Sequence, residues 1–230
     1  MKKLFATLAA SAALCAPLPA MAVETVEPYS NAAMGCMKLK ECTEGVHQVN
    51  SMQDVVDVLG DRWKWTDVHE EEFGMEMVAL FDRLRASGIK VYLAEGSNFP
   101  RTHRGSYYTD NNEFYLNADH VKDPAIFMLV MRHEGWHAAQ DCMAGTLDNS
   151  FIAVIHNPDV VPQRYQVSAE IRYGLFAPNA IPWEAEAIWA GNTPNMTADA
   201  LNACAAGSMW NEYSPTPKTR EWLESQGYLK

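Results

Sequence analysis

The stretch that begins at Asp123-Pro124 constrains this chain more than any other. Aspartate is a strong helix N-cap, and proline is best tolerated in the first helical turn, so the pair predicts a helix start. Ile126, Phe127, Leu129 and Val130 follow, and the pattern predicts an apolar helix running to about Asp141. The second half of that helix carries His133, Glu134 and His137. Two histidines four residues apart share a helix face, so both imidazoles can reach one ion. Neutral imidazole suits Zn2+, and a catalytic zinc needs a third protein ligand and one open position. Glu134 directly follows the first histidine, where its carboxylate can take a proton from an attacking water and later give it to a leaving group. Gly135 costs about 1 kcal/mol relative to Ala inside a helix, so a neighbour is expected to pack closely against it. The alternative needs no metal: two polar histidines on a surface helix face.

Elements on either side predict the fold class. Ser51 caps a short helix through Leu59, which Gly60 ends. Thr66 caps a longer one, on which Val68, Met77, Leu80, Phe81 and Leu84 recur at helical spacing until Gly88 stops it. Ile89 to Ala94 reads as a strand. The polar loop 95–105 follows, and then Tyr107–Thr109 and Glu113–Asn117 form a hairpin around Asp110-Asn111-Asn112. Beyond the apolar helix, helical pieces are expected near 162–173, 182–190, 197–205 and 216–226. A few strands, a central helix and then more helices predict an α+β chain. There is no repeat and no long linker, so residues 23–230 are expected to form one domain.

His133-Glu134-Gly135-Trp136-His137 resembles the zincin metallopeptidases. The resemblance implies a small zincin-like domain, with a short sheet or hairpin packed on the His-Glu-x-x-His helix. It also implies zinc as cofactor and a peptide or protein as substrate. The metzincin branch would place His or Asp six residues after His137, but Met143 stands there. Pro182-Trp183-Glu184-Ala185-Glu186-Ala187 is similar to the Glu-x-Glu-Ala-Asp signature of glutamate-ligand zincins (gluzincins), whose first Glu binds the metal. That implies Glu184 as third ligand, with Glu186 the alternative and Glu170 or Asp148 behind it. The two glutamates are two apart, so only one can face the histidines. Ile188 stands where the pattern has an Asp that assists the first histidine, so His133 needs a different acceptor. Tyr115, His156, Tyr165 and Tyr173 are candidates to stabilise an oxyanion, and Trp136 and Trp183 are candidates to wall the site. His47, His69, His103 and His120 read as solvated. By the same resemblance, Glu113–Asn117 is the edge strand that pairs with an extended peptide.

The N-terminus adds location. Lys2 and Lys3, an apolar run from Leu4 to Leu14, the breakers Pro17 and Pro19, and Ala20-Met21-Ala22 read as a signal peptide cut after Ala22. Cys15 lacks the lipobox leucine three residues before it. Cleavage takes the net charge from −11 to −13 and leaves Cys36, Cys42, Cys142 and Cys204. An even count in an exported chain predicts two disulfides; Cys36–Cys42 with Cys142–Cys204 is one of three possible pairings. The acid excess argues against nucleic-acid partners, and no other segment is long enough to span a membrane. The chain therefore reads as a secreted or periplasmic zinc-dependent hydrolase, with a non-catalytic exported domain holding a structural or vestigial zinc as the alternative.

Overall fold

The computed structural model describes residues 45–99, 102–145, 147 and 151–229. The expected signal peptide 1–22, the Cys36 and Cys42 pair and Asp148 lie outside the described residues. The fold is α+β. β1 (Val46–Val49) leads into α1 (Met52–Leu59), α2 (Asp67–His69), a π turn (Glu70–Gly74) and α3 (Met75–Ala86). The strands β2 (Lys90–Ala94), β3 (Gly105–Tyr108) and β4 (Glu113–Asn117) follow. Then come α4 (Pro124–Met143), α5 (Gln163–Tyr173), α6 (Ile181–Gly191), α7 (Met196–Ala205), α8 (Met209–Glu212) and α9 (Pro217–Ser225).

The start signals act where the sequence places them. Ser51 Oγ accepts the Asp54 N–H at 3.3 Å. Asp123 Oδ1 accepts the N–H groups of Ala125 and Ile126 at 2.9 and 3.1 Å, satisfying donors that the first turn of α4 cannot. Gly88 ends its helix at φ +78°, a left-handed conformation that costs glycine little. Val68 departs from expectation. It is 66% exposed, while Met77, Leu80, Phe81 and Leu84 are buried. The π turn widens the helical repeat between them, so α2 and α3 present different faces to the core.

The sheet order is β1-β2-β4-β3. β1 and β3 run antiparallel to their neighbours, and β2 and β4 are parallel, with Lys90 opposite Glu113 and Ala94 opposite Asn117. The hairpin is therefore present, but the expected edge strand is not the edge. β4 lies between β2 and β3, buried along its whole length, and β3 is the outer strand. A parallel β2–β4 pairing is a tertiary event that the hairpin turn does not encode.

Phe114 and Leu116 point from β4 into the main core, together with Phe127, Met128 and Met131 of α4. Tyr115 points to the other face, into a small cluster with Tyr108, Phe99 and Ala94. α4 is apolar on nearly every side because it is packed on nearly every side: by α6 and α7, by α3, and by β3 and β4. A buried ion pair secures it to α3: Arg132 Nε and Nη2 donate to the two oxygens of Glu76 at 2.8 and 2.5 Å. Gly135 does meet a close neighbour, since a Cβ there would lie 2.9 Å from Thr197 Cγ2 of α7. Cys142 is disulfide-bonded to Cys204, tying the end of α4 to α7 across 62 residues of chain.

Candidate metal centre

Small residues bring the candidate ligands together. Ala187 and Ala190 of α6 are fully buried, and a Cβ on Gly191 would come within 3.0 Å of the Leu129 carbonyl and 3.4 Å of His133 Cβ. α6 can therefore lie close along α4, and its first turn delivers Glu184 to the histidines. His133 Nε2 is 3.5 Å from Glu184 Oε2, and His137 Nε2 is 3.8 Å from Glu184 Oε1. One ligand atom from each of the three residues falls within 4.8 Å of the others, and the group could hold a metal ion. Two donors about 2.0–2.1 Å from a tetrahedral ion stand roughly 3.4 Å apart, close to the spacing here. Glu184 Oε2 is buried and makes no hydrogen bond of good geometry, its contact with His133 Nε2 being 3.5 Å long, which is costly unless something else binds it.

Electrostatics mark the same place. Burial raises the pKa of the Glu184 carboxyl, but His137, His133 and the Tyr173 hydroxyl overcome that and bring it down to about 2. Burial works against charge on both imidazoles. In His133 the Glu184 hydrogen bond outweighs it, helped by the charges of Glu134 and Glu184, and the pKa rises; in His137 burial prevails and the pKa falls. Glu134 is pushed up to about 7, chiefly by burial.

β3 holds Glu134 in place. The Tyr107 N–H donates to its carboxylate, and Gly105 leaves room for it: a Cβ at 105 would sit 2.8 Å from Glu134 Cγ, Glu134 Oε1 and Val130 Cγ1. Gly105→Ala is therefore expected to push Glu134 aside and lower any activity that depends on it by about 100-fold, the penalty of a roughly 1 Å misplacement. Circular dichroism should stay native. Unchanged turnover in a folded Gly105→Ala protein would show that Glu134 tolerates displacement.

Glu186 faces away from the histidines. Its carboxylate accepts from the N–H groups of Ile155 (3.1 Å) and His156, from Gln140 Nε2 (2.8 Å) and from Trp136 Nε1 (3.3 Å). Burial raises it to about 7, against those four donors. Two residues of helix turn a side chain by about 200°, so Glu184 and Glu186 serve different neighbours. Gln140 links the two environments: its Oε1 lies 2.8 Å from His137 Nδ1, while its Nε2 bonds Glu186 and the Trp183 carbonyl. The sequence reading overlooked Gln140, although its place three residues after His137 on the same helix face was a usable signal. It supports the second histidine, His137, whereas the Asp that Ile188 replaces in the pattern would support the first, His133.

The centre opens into a cleft of about 1290 Å³. Tyr165, Tyr173 and Trp183 line it, as does His103, which the sequence suggested was solvated. Burial lowers the His103 pKa, against the pull of Glu184. Other candidates fall elsewhere. Tyr115 donates to Glu113 at 2.8 Å within the sheet. His156 stacks on Trp136 at 5.7 Å, and Trp136 is fully buried rather than a wall. Glu170 is exposed on α5, outside the ligand group. His47 and His120 are exposed, and His69 accepts the Thr66 N–H at 3.1 Å. Compared with known proteins, the chain matches no family model, no curated protein and no solved structure.

Proposed function

We propose that the chain is an exported zinc-dependent hydrolase, acting on peptides, in which His133, His137 and Glu184 hold the metal and Glu134 is the general base. The observation that carries this reading is the juxtaposition of the three donors with a buried carboxylate, Glu134, at one wall of an open cleft. Two imidazoles and a carboxylate form a donor set suited to zinc, and three protein ligands rather than four are the mark of a catalytic site. Zinc, when bound there, polarises the carbonyl under attack and acidifies the attacking water. Glu134 takes that water's proton and passes it to the departing nitrogen. Hydrogen-bond donation to the oxyanion that develops is assigned in this reading to His103 and Tyr165, which line the cleft. The Cys142–Cys204 bond supports export, since disulfides persist in oxidising compartments. Among the described residues no helix is long and apolar enough to cross a membrane.

The test is elemental analysis of the purified protein after zinc loading and dialysis. Wild type should retain about one zinc per chain. Glu184→Gln should lose it, because a neutral amide is a poor ligand, whereas Glu186→Gln should keep it. A folded wild-type protein that retains no zinc would end this reading.

A further inference from the structure

The cleft that opens from the metal centre has a charge opposite to that of the whole chain. The chain carries −11, yet Arg104, Arg164 and Arg172 line the cleft. The carboxylates in the lining, among the described residues, are Glu134 and Glu184, both at the metal centre. A divalent ion at the histidines would balance those two and leave the three guanidinium charges uncompensated.

The arginines are also arranged. Arg164, Ser168 and Arg172 recur every four residues on α5, a spacing that stacks them along one helix face, and all three line the cleft. Arg164 is held by its neighbour, with Nη2 2.8 Å from the Tyr165 hydroxyl and its Cζ 4.6 Å from that ring's centroid. Arg172 is near enough to the metal centre for its charge to act on His133. Arg104 lines the same cleft from the loop before β3. No ion pair joins any of the three to a carboxylate among the described residues. Surface arginines without a partner are common; three converging on the walls of one cleft, in an acidic chain, set up a local positive field that draws in anionic ligands.

We propose that this cleft selects peptides bearing a carboxylate beside the cleaved bond, which the Arg164–Ser168–Arg172 face of α5 engages with help from Arg104. The shared chemistry is the carboxylate; it can come from an acidic side chain or from the free C-terminus of a peptide. This inference rests on the hydrolase reading and supplies its substrate class. Guanidinium groups pair with carboxylates through two parallel hydrogen bonds, and Ser168 offers a further donor between them.

The experiment uses the zinc-loaded protein and matched peptides. One pair differs by Glu against Gln next to the cleaved bond; the other by a free against an amidated C-terminus. Each peptide is also titrated into the Glu134→Gln variant, with Trp183 in the cleft as a fluorescence reporter, so that binding is read without turnover. The member of one pair that bears the carboxylate should be favoured about fivefold in kcat/KM and in affinity, the upper end of what exposed charge pairs supply. The pair that responds identifies the source of the carboxylate. The preference should shrink as salt rises. It should fall to within about twofold in the Arg164→Gln/Arg172→Gln double variant and survive in part in the Arg164→Lys/Arg172→Lys variant. Cleavage or binding with no preference in either pair, or a preference for the uncharged member, overturns the inference and leaves the hydrolase reading standing. Absence of cleavage for every peptide counts against the hydrolase reading, and the binding arm still decides whether the cleft prefers carboxylates.

Discussion

Glu134→Gln should lower peptide hydrolysis by about 10²- to 10⁴-fold, the usual contribution of a positioned general base, and leave folding and zinc retention intact. The reason lies in the chemistry of the replacement. Gln has the shape of Glu, its carbonyl oxygen can still accept the Tyr107 N–H, and its amide cannot take up a proton. The carboxylate it replaces is buried and has its pKa pushed up to about 7, so the substitution removes no favourable charge from the folded state. Turnover of a peptide mixture, measured beside zinc content and circular dichroism, decides the matter. A variant with full zinc that cuts as fast as wild type would mean that Glu134 is not the base. The site would then read as a structural one.

Glu76→Ala is expected to cost about 3–5 kcal/mol of folding stability, the usual cost of removing one partner from a buried ion pair. Arg132 and Glu76 side chains are 7% and 5% exposed, and the same carboxylate accepts the Asn195 N–H at 2.7 Å. Truncation leaves a buried guanidinium, and the part-buried Asn195 N–H, without this acceptor. Arg132 immediately precedes His133, so the loss falls on the helix that carries two of the candidate metal ligands. Urea unfolding of the apo protein measures it. Replacing both partners with apolar residues, as in Glu76→Leu/Arg132→Met, should recover much of the loss, because no uncompensated charge remains. A Glu76→Ala midpoint equal to that of wild type would show that solvent or a rearranged neighbour replaces the carboxylate.

Much of the candidate metal centre was legible in the sequence because it depends on short-range geometry. His133 and His137 share a face because any α-helix places residues four apart together, and the Asp123-Pro124 start set the phase of that helix. Glu184 was reached through a resemblance, not through spacing. Forty-seven residues separate it from His137, and only the packing of α6 on α4 shows that it, rather than Glu186, faces the imidazoles. The choice turns on the small residues Ala187, Ala190 and Gly191, which set how closely and at what rotation the helices meet. Their small size was visible in the sequence; their partner was not.

The amino-acid sequence by itself determined the elements and where they stop: the Ser51 and Asp123 caps, the Gly88 terminator, the hairpin around Asp110-Asn111-Asn112 and the histidine pair. Each of these is decided by backbone sterics and hydrogen bonds within a few residues. The tertiary structure alone decided that β4 is internal and β3 an edge, that Gln140 backs His137, that His103 reaches the cleft, and that Arg104 lines the same cleft as the α5 arginines. Those outcomes depend on which distant surfaces bury each other. Burial is non-directional and set by the whole chain, so no local run of residues encodes it.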